Sequence, residues 1–126
     1  MTRILLIGLA GAMGTLSRYL VGVWAGRTLG AAFPYGTFIV NVLGCFLIAM
    51  IAHAAARQVI SPEMRLTLAT GFMGGLTTYS SFNLETTQFV TAGAWYQASL
   101  NLGMTLGVCF VAGLLGLALA RALFGA

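Results

Sequence analysis

Apolar runs long enough to cross a bilayer dominate this chain. An α-helix rises about 1.5 Å per residue, so about 20 apolar residues span a hydrocarbon core of about 30 Å. Such runs recur four times in 126 residues, at about 4–23, 36–56, 65–90 and 97–119. The polar inventory agrees: there are six arginines, no lysine and two acids, Glu63 and Glu85. A soluble domain carries roughly a quarter of its residues as charges. These features predict an all-α integral membrane protein in which residues 1–126 form a single four-helix transmembrane domain. No connecting segment is long enough to divide it. The first run continues past Arg18, too far for a cleaved signal peptide, and is expected to be retained.

Pro34 marks a boundary before the second run, RQVISPEMR (57–65) is a short polar turn with Pro62 near the next helix start, and TAGAW (91–95) is the third connection. Four crossings put both termini on one side, together with Arg3, Arg57, Arg65 and Arg121, against Arg27 and Arg18. The positive-inside rule leans toward cytoplasmic termini, but with so small a bias either orientation stays open. The net charge of +4 comes from arginines scattered near helix ends, not from the concentrated basic face that nucleic acid demands. Nucleic-acid binding is therefore excluded. Cys45 and Cys109 lie in separate apolar runs without the close spacing of a metal knuckle or redox pair, and read as small buried hydrophobes.

The third run contains GFMGGLTTYSSFNLE (71–85). Gly71, Gly74 and Gly75 with Thr77, Thr78, Ser80 and Ser81 hold a helix together poorly. In lipid an opened backbone survives only against protein or a watery cavity, and its freed carbonyls become candidate cation ligands. The competing reading is that the glycines only let two helices approach closely. Tyr79 and Phe82, three residues apart, share a helix face, and aromatic ring edges are electropositive enough to meet an anion. Glu85 lies three further on and is expected to face the protein interior, a cavity or the interface.

Asn41 sits among Val40, Val42 and Leu43, with Thr37 one turn earlier. Its amide offers two donors and an acceptor, suited either to a helix-to-helix bond or to lining an anion path. Asn101, Thr105 and Cys109 recur every four residues as one polar stripe on the fourth run, where Gly103, Gly107, Gly113 and Gly116 equally invite packing. Arg18 either snorkels to headgroups, anchors an acid or draws anions to a mouth. His53 reads as a solvated helix-end residue. No nucleophile and base assemble into an enzyme site, and no spacing suits a catalytic metal. Four short helices scarcely enclose a selective pore while still presenting apolar walls to lipid, so pairing with a second copy is expected, two-fold pairs being commonest.

GAMGTLSRY (11–19), YGTFIVNVLGCF (35–46) and GFMGGLTTYSSFNLE, in this order and separation, resemble the Fluc/CrcB fluoride channel family across nearly the whole chain. The fourth run resembles it mainly in length and polar pattern. The resemblance implies an antiparallel, dual-topology homodimer in the bacterial cytoplasmic (inner) membrane, surrounded by lipid and passing fluoride out of the cytoplasm through two pathways between subunits. It also implies a structural sodium ion held at the dimer centre by the backbone carbonyls of Gly74 and Thr77 from both subunits. Asn41 matches the family's pore asparagine, Tyr79 and Phe82 its paired pore phenylalanines, and Thr37, Thr105 and Cys109 its polar track. Arg18 and Glu85 match its charged positions. Tyr79 departs from the usual phenylalanine, and its hydroxyl either meets the path or points away. Two rivals stay open: a proton-coupled anion carrier using Glu85, and a small membrane assembly protein whose glycines serve only packing.

Overall fold

The computed structural model describes residues 1–125. Its regular elements are helical throughout: α1 (Thr2–Thr28), α2 (Tyr35–Ala56), α3 (Pro62–Arg65), a π-helical segment (Leu66–Met73), α4 (Gly74–Leu76), α5 (Tyr79–Thr91) and α6 (Trp95–Phe124). α1, α2 and α6 are each long and apolar enough to cross a membrane. The stretch expected as the third run is two shorter pieces: α3, the π segment and α4 run on from one another, and α5 follows the interruption.

The helix ends follow local chemistry. α1 passes Arg18 and stops where Gly30 takes a φ of +85°, a left-handed conformation that glycine adopts freely. Ser61 caps α3 by accepting from the Met64 amide at 3.1 Å, with Pro62 as the first helical residue. Arg3 on α1 lies 3.5 Å from Glu63 on α3 in an exposed ion pair, a contact worth at most about 1 kcal/mol. His53, near the end of α2, is hydrogen-bonded to the Gly125 carbonyl at 2.8 Å, so the C-terminal end of α6 docks on α2 there.

Close backbone contact holds α1 against the interrupted span. A Cβ on Gly14 would collide with the Phe72 carbonyl, one on Gly75 with the Gly11 carbonyl, and one on Gly71 would come within 2.8 Å of the Ala10 Cβ. Without a strong hydrophobic force between helices in lipid, such small-residue seams let backbones approach and gain dispersion contact. The same device joins α2 to α6, where a Cβ on Gly116 would strike the Phe46 carbonyl. Between these seams Val40, Met73 and Leu76 are buried together, with Val21, Ile51 and Phe72 packed around them.

The break is not made by the glycines. Gly74 is helical, with φ −61° and ψ −36°, and the chain leaves the helix at Thr77 (φ −83°, ψ 155°) and Thr78 (φ −153°, ψ 115°). Gly71 and Gly75 serve the packing alternative, and the two threonines carry the interruption. Extended conformations suit β-branched residues, so the break needs no glycine. Replacing Gly75 by alanine should overpack the α1 seam and destabilise the fold by about 1–3 kcal/mol. Gly8, whose Cβ would meet nothing within 4 Å, should tolerate the same change, and thermal unfolding of both variants in detergent checks the contrast.

Candidate functional site

Asn41 and the break are one construction. The Asn41 Nδ2 donates to the Thr78 carbonyl at 3.0 Å, and the Thr78 amide donates to Asn41 Oδ1 at 2.8 Å. One side chain thus satisfies both main-chain polar groups of the residue at which the chain leaves the helix, and it does so while buried. Gly44, one turn further along α2, opens the space beside it: a Cβ there would overlap the Thr77 methyl. Asn41 and Gly44 together receive Thr78 and Thr77. Gly44 escaped the sequence reading, although a small residue three positions after a buried amide is on the same helix face.

Turning the Thr78 amide toward Asn41 takes away the donor that a continuing α-helix would have returned to the Gly74 carbonyl. Among the described residues, no main-chain N–H from beyond the break returns to the carbonyls of Gly74, Gly75, Leu76 or Thr77. Main-chain carbonyls freed in this way need partners other than the helix ladder. Below the break, the Thr77 amide and hydroxyl both donate to the Met73 carbonyl, at 3.0 and 2.9 Å. Above it, the Thr78 hydroxyl accepts from the Ser81 amide at 3.1 Å and caps α5.

A cavity of about 370 Å³ opens against this break. Its wall gathers Asn41, Gly74, Thr77, Tyr79, Phe82, Thr105 and Cys109 from α2, α4, α5, α6 and the break itself. The Tyr79 and Phe82 rings meet edge to face, with centroids 5.6 Å apart. Their surroundings differ: Phe82 is 4% exposed and Tyr79 74% exposed on the single chain. Thr105 donates to Asn101 Oδ1 at 3.4 Å, Asn101 donates to the Thr86 hydroxyl at 2.9 Å, and Thr86 donates to the Phe82 carbonyl at 2.8 Å. This relay fixes α6 against α5 directly behind Phe82. Thr86 was not among the expected residues, and Asn101 was noted only as part of the stripe.

Thr37, Arg18 and Glu85 lie outside that cavity. Arg18 and Thr37 share a cleft with Thr78 and Ser81, and a further cleft holds Thr37 with Glu85. The Thr37 hydroxyl donates to Glu85 Oε1 at 2.5 Å, while Glu85 Oε2 is buried without a partner among the described residues. On the other side, Cys45, Ile48 and Cys109 belong both to the central cavity and to one of about 520 Å³ reaching His53. The four cavities have lining residues in common at Thr37, at Thr78 and at the cysteines, and between them touch α2 from Tyr35 to His53.

Residues 5–117 match the family described as CrcB-like protein, Camphor Resistance (CrcB). The chain belongs to the CrcB family. A relative from Sorangium cellulosum (strain So ce56), named fluoride-specific ion channel FluC, is 50% identical over 118 residues, covering 93% of each chain. A relative of the same name from Geotalea daltonii is 43% identical, over 96% of this chain and 98% of its own. Another from Anaeromyxobacter sp. (strain K), also so named, is 46% identical over 99% of this chain and all of its own. Family membership and three apolar helices of spanning length make this a multi-pass membrane protein.

Asn41→Asp removes the donor to the Thr78 carbonyl and sets a second acceptor against it. Leaving a buried polar group unpaired costs about 1–3 kcal/mol, so this variant should unfold at lower temperature in detergent. Asn41→Asp with wild-type thermal stability would show that the bond from Asn41 Nδ2 to the Thr78 carbonyl does not hold the break.

Proposed function

We propose that the protein is a fluoride-selective channel of the bacterial cytoplasmic membrane, conducting passively outward. The observation that carries this reading is the row of cavities along α2, whose central member is lined by hydrogen-bond donors and ring edges beside a break bonded to Asn41. Its relatives named as fluoride-specific ion channels support the choice of ion, and that activity is conduction, not catalysis.

Fluoride is small and strongly hydrated, so a path must replace water's donors closely while leaving several similar stations for exit. The second N–H of Asn41 remains free after the bond to Thr78, and it would offer one such donor. The Phe82 and Tyr79 ring edges and the Thr105 hydroxyl would supply weaker partners, with Cys109 and Thr37 continuing the series in either direction. Arg18 would draw anions toward the Thr37 cleft without placing a fixed cation in the central cavity. Chloride is larger and accepts hydrogen bonds less strongly, so close donor contact would compensate its dehydration poorly.

Within this reading the functional unit is an antiparallel homodimer with two pathways. A wide-open Tyr79 beside a buried Phe82 is the contact a second copy would cover, and the small arginine bias leaves insertion in both orientations open. The interrupted span, from α3 to α5, would make the fourth crossing. The carbonyls of Gly74 and Thr77, released by the break, fit the oxygen-donor chemistry of a sodium ion at the two-fold axis, two from each subunit. Bound there, sodium would supply a fixed positive charge between the pathways.

A second reading, a proton-coupled carrier, draws on the unpartnered Glu85 Oε2, since buried acids in membranes often serve proton relays. Liposomes containing purified protein separate the two. The expected outcome is downhill release of fluoride with chloride retained, and a proton gradient that drives no uphill movement. Uphill fluoride uptake on imposing a pH difference would establish the carrier. Efflux should also be lost in strictly sodium-free medium on both sides, and undiminished flux there would remove the sodium from the scheme.

A further inference from the structure

The central cavity and the one that reaches His53 share three wall residues, Cys45, Ile48 and Cys109. Two of the three are thiols. They come from α2 and α6, line the same two cavities, and are both half-buried and free of any disulfide. The seam is close: a Cβ on Gly113 would touch the Cys45 carbonyl, and one on Gly116 would strike that of Phe46. Conduction as proposed above makes Cys109 one polar station among several and leaves Cys45 without a task.

We propose that Cys45 and Cys109 form a two-sulfur site for one soft divalent cation of the mercury(II) type, and that filling it closes the passage between the two cavities. The binding stands on the paired thiols alone, and the closure rests on the channel reading. Each thiol gives its proton to water as one sulfur–metal bond forms at each cysteine, the two chlorides that the incoming ion carries leave into water, and the metal keeps its oxidation state. The product carries no net charge. That matters in a wall shared with Ile48, Leu106 and Phe110, where an uncompensated charge would be expensive.

Coordination number selects the class of metal. Zinc requires three or four protein ligands, and no group of three or more His, Cys, Asp or Glu side chains gathers among the described residues. His53 lies eight residues along α2 from Cys45, about 12 Å at the helical rise, beyond the reach of a shared ion. Hard cations prefer oxygen. A pair of facing sulfurs suits a soft ion content with two linear bonds.

The test uses the full chain. Purified protein is loaded with mercuric chloride, washed with excess small monothiol, assayed for metal and free thiols, and reconstituted for fluoride efflux. One metal retained per chain, both thiols closed to alkylation and a sulfur-to-metal charge-transfer band are expected. Cys45→Ser and Cys109→Ser should each release the metal in the wash, having one sulfur where the wild type has two. Retention by either variant, or two metals per wild-type chain, would overturn the site. Loaded wild type should lose efflux and regain it with a dithiol chelator, whereas Cys45→Ser put through the same loading and wash keeps its flux. Full loading with unchanged efflux refutes the closure. If the unloaded protein shows no efflux, the channel reading fails, and metal retention still decides the site.

Discussion

The reciprocal pair of hydrogen bonds between the Asn41 amide and the Thr78 peptide is the interaction on which this architecture depends. A backbone that leaves the helix inside a membrane must find partners for its N–H and C=O, because no lipid group can supply them. Asn41 answers both demands at one residue. A hydroxyl in its place lacks the reach to bridge donor and acceptor together, and an aliphatic residue would leave both unpaired.

What surrounds that pair follows from it. Gly44 clears the space for Thr77, and Gly71 and Gly75 press the span onto α1 so that the break is held at a set depth against α2. With the Thr78 amide committed to Asn41, the carbonyl of Gly74, a residue that lines the central cavity, is released from the helix ladder. The Thr78 hydroxyl then starts α5, and the helical spacing of that new segment sets Phe82 against the relay of Thr86, Asn101 and Thr105. Rigidity in this site therefore comes from hydrogen bonds and glycine seams more than from a large apolar core.

Much of this was legible in the residues. The apolar runs announced the helices, Pro62 and Ser61 announced a helix start, and the unusual string from Gly71 to Glu85 announced an interruption. The reason for the interruption was harder to read. Three glycines in five residues suggested that they opened the chain, yet they remain helical and the threonines extend instead. Flexibility and close approach ask for the same residue, and only a neighbour distinguishes them: α1 lies over Gly71 and Gly75. Asn41 likewise read equally well as an interhelical bond or a pathway donor, because an amide has capacity for both.

The paired cysteines show the same boundary. Sixty-four positions separate Cys45 from Cys109, and nothing in their local sequence brings them together. The α2–α6 seam does. By itself the sequence determined the membrane as solvent, the helical class and the family, because hydropathy and rare motifs are properties of consecutive residues. Which carbonyls are freed, which glycines touch, and which polar side chains share one cavity were decided only by tertiary structure, since each depends on the distance between segments that the chain order leaves unspecified.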